Sequence, residues 1–522
     1  LYGEARRSKI SRERRKEERK ITSFLKVVAL LVFYKQWLKI LAAESTSGRV
    51  NVVLTAAMVL IAVVFPTGGS ARAQALAERE GLPPFPTMTY EEDNLYFADP
   101  GNRTIFPNQL KFIPLFGSDT NYYLSFGANI RERGEYFSNP NWGSGPAGSA
   151  YLMQRYYLHA DLSLGERVRF FGELGSSFED GRTGGPRAGL DEDRLDLHQG
   201  FVDFELLRSD NNSLTLRAGR QEMAFGSGML VSTRDGRNIR VTWDGFRAAW
   251  KSDEWTVDGF AVKETKNEPG IFDDEPNQNI GFWGVYAVRP FPTLPGGNID
   301  LYYLGRNNKD VSFDARGVGD EQRETIGTRL WGTAGHWSYN DEFAFQFGHF
   351  RSDEILAWAA STETGYQSES MVLHPRFGLR AVAFSGDQNP SGGALGTFNS
   401  LNEKGPYFTY AELFARRNLI ALQPSVRLDL TRNVSLTPNI AFYGRESTRD
   451  GIYSTGGAVE VTGQNSNARY IGSQTAVQLE WKINRNLTFT TEYLHFFPGQ
   501  FLEQSTPGRS IDYVTVFLDL KF

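Results

Sequence analysis

The chain ends in YVTVFLDLKF, residues Tyr513 to Phe522. Val514, Val516, Leu518, Leu520 and Phe522 fall on one face of an extended segment, and Tyr513, Thr515, Phe517, Asp519 and Lys521 on the other. Side chains alternate across a strand, so this pattern predicts a strand with one apolar side. That side must meet either a protein core or membrane hydrocarbon, and the rest of the sequence decides between them.

The alternation returns from Asn121 onward. In YYLSFGANIRERGEY (122–136), Tyr122, Leu124, Phe126, Ala128 and Ile130 oppose Ser125, Gly127, Asn129, Arg131, Arg133 and Glu135. QRYYLHADLSL (154–164), PRFGLRAVAF (375–384) and LQPSVRLDL (422–430) repeat it. The polar face is charged at mid-strand. A soluble sandwich would turn those charges to bulk water, whereas a membrane barrel turns them to a wet lumen and the apolar face to lipid.

The connections favour the barrel. Short turns at 164–167, 207–212, 251–254, 431–433 and 484–486 nearly alternate with long connections at 138–150, 179–195, 223–240, 265–279, 307–323, 385–416, 446–469 and 497–510. Outer-membrane barrels have this layout, with short periplasmic turns and long external loops. The expected fold is all-β, a transmembrane antiparallel barrel of about 18 strands in the bacterial outer membrane, enclosing an aqueous channel. Tyr122, Trp250, Trp255, Trp481 and Phe522 stand where interfacial aromatic girdles belong.

Composition agrees. A mean hydropathy of -0.40 is too polar for a helical membrane protein. The 522 residues include no cysteine, which excludes disulfides, thiolate metal sites and cysteine nucleophiles. Residues 1–73 hold 14 Lys and Arg against 5 Asp and Glu, leaving 42 basic and 56 acidic residues in the body. So acidic a body argues against nucleic-acid binding.

The basic head reads as a targeting region. Arg49, the apolar run Val52–Phe65 and Ala71-Arg72-Ala73 form the three parts of a secretory signal. The expected organisation is a basic extension or over-extended start at 1–48, a signal peptide at 49–75, a periplasmic N-terminal segment at 76–120 and the barrel at 121–522.

Several stretches go beyond a generic barrel: LKFIPLFGSDTNYYLSFGANIRERGEYFSNPNWG, LDLHQGFVDFEL, LRAGRQEMAFGSGMLVSTRDGRNIRVTWDGFRAAW, RETIGTRLWG, GTFNSLNEKGPYF and LHFFPGQFL. Together, and in order over roughly residues 90 to 522, they resemble the alginate-export family of outer-membrane porins. The resemblance implies a monomeric 18-stranded barrel whose arginine-rich constriction passes an anionic polysaccharide out of the periplasm, with periplasmic export partners. It also implies that Phe522 is the signal to the barrel-assembly machinery, and that the last strand closes against the first with its apolar face on outer-membrane lipid.

Arginine suits a polyuronate because its planar fork pairs both carboxylate oxygens and stays charged. The arginines in inward phase are Arg131, Arg133, Arg155, Arg169, Arg217, Arg247, Arg329, Arg376, Arg380 and Arg427, with acids including Glu135 and Asp161. Arg131, Arg133 and Arg155 are the foremost candidates. Arg220 also belongs to the expected path, although it and Glu222 are out of phase with Arg217 unless a bulge intervenes. Met223–Arg240 is either a constricting loop folded inward or an external loop.

The alternative cargo is small anionic or neutral solutes crossing by diffusion, and a further alternative is a barrel-anchored enzyme. His159, His198, His336, His349, His374 and His495 fall in no nucleophile or zinc motif, so no catalytic residue, metal or cofactor is expected. The acidic stretch at Asp273, Asp274 and Glu275 lacks the spacing of a calcium loop and reads as solvated.

Overall fold

The computed structural model describes residues 84–104, 106–116, 120–146 and 148–522. The expected basic extension and signal peptide lie outside the described residues.

Strands β1 (Tyr122–Ser138), β2 (Gly148–Leu164), β3 (Val168–Asp180), β4 (Asp193–Arg208), β5 (Asn212–Gln221) and β6 (Trp243–Ser252) build the first third of one sheet. The sheet continues through β7 (Thr256–Lys266), β8 (Glu275–Pro290), β9 (Gly297–Phe313), β10 (Gly317–Ala334), β11 (Trp337–Phe350) and β12 (Asp353–Gln367). It ends with β13 (Arg376–Phe384), β14 (Leu419–Asp429), β15 (Val434–Gly444), β16 (Tyr470–Lys482), β17 (Leu487–Pro498) and β18 (Ile511–Lys521).

These eighteen antiparallel strands close into a barrel. At the seam β18 pairs with β1, setting Arg131 opposite Asp519 and Glu135 opposite Thr515. At the short turn near Asn433, the Thr431 hydroxyl accepts from the N–H groups of Asn433 and Val434.

Sidedness follows the period of two. On β2, Leu158 is 54% exposed while Tyr157 is 1% exposed. Phe126, Phe170, Leu174, Phe246, Phe343 and Leu422 are likewise exposed, whereas Arg133, Arg155 and Glu173 are buried. The last strand obeys the same rule, with Tyr513, Thr515 and Phe517 buried inside and Val514, Val516 and Leu518 half-buried. The oily belt therefore faces lipid and the charges face the lumen.

Two features differ from the sequence expectation. The long connection expected at 307–323 is a hairpin, because β9 and β10 stay paired from Asn307–Gln322 to Phe313–Gly317. Exposed residues such as Asn307, Lys309, Asp320 and Gln322 are polar, so the alternation that marks a lipid-facing strand fades there while the backbone ladder persists.

The lumen also differs from the expected open aqueous channel, because connections fold into it. Met223, Phe225, Met229, Leu230 and Val231 are buried with Phe398, Leu401, Phe414 and the wall residues Phe260, Phe282, Tyr443 and Phe496. Apolar residues on these loops bury against wall aromatics rather than wave in water, a gain of about 25 cal/mol per Å².

Part of the segment 76–120 also lies inside. Tyr90 packs edge-on against Phe171 and Phe201. Asn94 Nδ2 donates to Asp161 at 2.7 Å, and the Arg485 guanidinium, at a short turn, covers Phe85. Ile113–Pro114 adds a short strand beside Tyr123 and Leu124. The segment thus enters from the short-turn end.

Candidate functional site: the charged lumen

Period-two strands side by side bring inward residues face to face, and here those residues carry opposite charges. Asp203 on β4 lies opposite Arg169 on β3 and Arg217 on β5. Arg217 grips Asp203 through two hydrogen bonds of 2.7 and 2.9 Å, and Arg169 grips Asp161 with the same pair of lengths. Arg247 bonds Asp258 at 2.8 Å. Further round, Arg329 meets Asp300 at 3.0 Å and Arg380 meets Glu363 at 3.1 Å. On this wall the predicted arginines brace neighbouring strands.

The arrangement differs around Arg131 and Arg155. The connection between β5 and β6 folds inward and brings Asp235 to them. Asp235 Oδ1 lies 2.8 Å from Arg155 Nη1, 2.6 Å from Arg240 Nε and 3.7 Å from Arg131 Nη1. One carboxylate is thus shared by three guanidiniums. Arg131 also donates to the carbonyls of Asp235 and Arg237, and Arg133 to that of Gly236. Asn238 Nδ2 pins the loop by donating to the carbonyls of Gln154, Phe178 and Asp191.

Arg133 sits over the rings of Tyr410 and Phe517 and pairs with Glu135. Glu135 in turn accepts from Tyr151 at 2.5 Å and Tyr513 at 2.9 Å. The structure therefore brings Arg131, Arg133, Arg155 and Glu135 together.

The remaining predicted residues are elsewhere. Arg376 and Arg427 are exposed, lie opposite each other and flank the short-turn end, where Arg376 donates to Ser338. Arg220 continues β5 in unbroken register beyond Arg217, on the opposite face of the strand at that point. It bonds Asp244 at 3.0 Å and the carbonyls of Leu197 and Asp274. It stands apart from the Arg169–Arg217–Arg247 row. In the acidic stretch, Asp196 accepts from the N–H groups of Asp273 and Asp274, which makes the cluster a loop clamp.

The N-terminal segment contributes its own ion pair, Lys111 Nζ to Glu92 at 2.6 Å, with both side chains buried. Burial raises the Glu92 carboxyl, but His159 and Lys111 outweigh it and hold that carboxyl below its ordinary range. Arg240 reaches the same segment through the carbonyl of Thr87.

Sequence reasoning missed Asp235, Arg240 and the buried pair Arg416–Glu403 on the connection between β13 and β14. They lie on connections without strand periodicity. The available signal was the charge density of RDGRNIR beside the apolar GMLVS, which is unusual for a loop left in water.

A family model described as alginate export matches residues 122–517. Among curated proteins no sequence relative matches. The chain is similar in structure to a BenF-like porin from Pseudomonas fluorescens Pf-5, with 11% identity, a TM-score of 0.51 and coverage of 76% of this chain and 99% of that one. It is also similar to the outer-membrane protein opdK from Pseudomonas aeruginosa (12% identity, TM-score 0.50, 76% and 99% covered). A third is OccAB2 from Acinetobacter baumannii (9% identity, TM-score 0.50, 76% and 98% covered). At these identities the likeness is one of fold.

Proposed function

The chain belongs to the alginate export family, and from that membership we propose that this outer-membrane channel carries an anionic polysaccharide, a polyuronate of the alginate kind, out of the periplasm. The observation that supports this reading most is the one carboxylate of Asp235 shared among Arg131, Arg155 and Arg240. A polyuronate offers a carboxylate on every sugar. When the β5–β6 connection withdraws with Asp235 and Arg240, a carboxylate of the passing chain takes the place of Asp235 beside Arg131 and Arg155. Because one carboxylate replaces another, the net binding is weak, and weak multiple sites let a chain move on. The arginine forks pair both oxygens of each uronate in turn.

The loop and the N-terminal segment both occupy the lumen, so passage requires both to move. The exposed Arg376 and Arg427 then stand at the entry. In this reading the protein is a monomeric channel rather than an enzyme, delivered to the membrane through recognition of Phe522.

The test is a planar bilayer holding the mature protein. Anion-selective current should be blocked by polyuronate at concentrations where neutral dextran of the same length has no effect. Equal block by both polymers overturns the reading. One observation favours diffusion of small solutes instead: Arg217, Arg247, Arg329 and Arg380 each already hold a carboxylate on a neighbouring strand. That alternative gives current without selective block.

A further inference from the structure

We propose that the barrel wall beneath the N-terminal segment binds one divalent transition-metal ion through Glu173, His198 and Glu222, with His159 beside Glu173. This inference is independent of the cargo.

The three ligands and His159 come from four places. His159 on β2 and Glu173 on β3 are directly opposite in register, and Glu173 faces Gln199 on β4. A bulge follows that pair, where the register slips between Glu173 and Leu174. A bulge re-aims a side chain, and this one leaves both His198 and Gln199 buried inside. Glu222 follows the end of β5.

One donor atom from each of Glu173, His198 and Glu222 lies within 4.8 Å of the others. His198 Nε2 is 3.0 Å from Glu222 Oε1. Glu173 and Glu222 are both 0% exposed.

Charge makes the case for a cation. Burying carboxylates side by side costs several kcal/mol each unless positive charge compensates them. Glu222 has Arg240 at 3.5 Å. Among the described residues Glu173 has no lysine or arginine in ion-pair distance; Gln199 donates to it at 2.9 Å and Thr89 at 2.7 Å.

The second observation is His159. Its Nδ1 is buried without a hydrogen-bond partner and points at Glu173 Oε2 from 3.6 Å. An orphaned imidazole nitrogen aimed at a buried carboxylate is a second sign that positive charge is missing beside Glu173. Its other nitrogen faces the Glu92 carboxylate at 3.8 Å.

Imidazole with carboxylate suits zinc, manganese or iron rather than calcium or magnesium. Ligation at about 2.0–2.2 Å needs only a modest contraction of the cluster. Thr89 belongs to the N-terminal segment and donates to Glu173, so the ion fastens that segment to the wall from its outer shell.

The experiment uses the mature barrel in detergent, stripped with EDTA and titrated with zinc chloride. Saturable uptake of about one equivalent is expected. His198→Gln and Glu222→Gln should each weaken uptake at least about tenfold, and His495→Gln, distant from the cluster, should leave it unchanged. No saturable uptake, or equal uptake by all three variants, overturns the site. Should the two ligand variants fail to fold, cobalt(II) bound to the unaltered barrel decides. Visible bands of nitrogen–oxygen coordination support the site, and a spectrum like that of aqueous cobalt overturns it.

Discussion

Arg155 Nη1 lies 2.8 Å from the carboxylate of Asp235, one residue on the barrel wall and the other on a loop folded inside it. The same oxygen serves Arg240 and Arg131. This loop therefore neutralises from within the cluster that an anionic chain would seek.

Removing the carboxylate should expose the cluster. Asp235→Ala is expected to shift the reversal potential toward stronger anion preference. It should also lower the half-blocking concentration of polyuronate about tenfold, the equivalent of one recovered pairing of ~1.4 kcal/mol. Bilayer recordings with and without polymer measure both, and an unchanged block removes Asp235 from the path.

Arg131→Ala and Arg155→Ala should act in the opposite sense. Each takes one guanidinium from the shared site, so polymer block weakens while the barrel still inserts. Arg217→Ala offers the contrast. Its partner Asp203 keeps only the longer contact to Arg169 at 3.7 Å, a loss of about 1.5–3 kcal/mol, and the effect should appear in the thermal unfolding of the barrel before it appears in selectivity.

The N-terminal segment should behave as a removable filling. Lys111→Ala leaves Glu92 buried with only His159 beside it, at 3.8 Å, which costs about 1.5–3 kcal/mol of docking. Single-channel conductance should rise, and trypsin should cut at Arg103, whose guanidinium now donates to the carbonyl of Phe112.

Acid should loosen the same segment. The docked Glu92 carboxyl is held below its ordinary range, so the docked state binds fewer protons than the released one. Its contribution is complete above the ordinary carboxylate range and is lost as pH falls through the lowered value. Conductance recorded down a pH series should rise on the acid side; a flat series contradicts the role of Glu92.

The lipid face can be tested by charge. Leu158→Arg, well inside β2, should cost about 2–4 kcal/mol of folding into vesicles, and Leu164→Arg, at the strand end, about 0–1. Denaturant titration in lipid vesicles measures both. Equal costs would contradict the placement of Leu158 in the belt.

Much of this molecule is written in a period of two. The alternation in β1, β2, β13, β14 and β18 identifies strands, and the rhythm of turns identifies a barrel with charges inside. These features are local, since each residue's face follows from its neighbours along the strand. Arg131, Arg133, Arg155 and Glu135 were legible as inward for that reason.

What the local pattern leaves open is which partner each inward group meets. Asp235 reaches Arg155 because Asn238 and the apolar residues at 229–231 find their partners inside the barrel. His198 turns inward because a bulge breaks the period beside Glu173. The N-terminal segment fills the short-turn end because Tyr90 finds Phe171 and Phe201 there. Each of these pairings joins residues far apart in the chain, so only the closed barrel, by bringing distant strands and loops around one lumen, decides it.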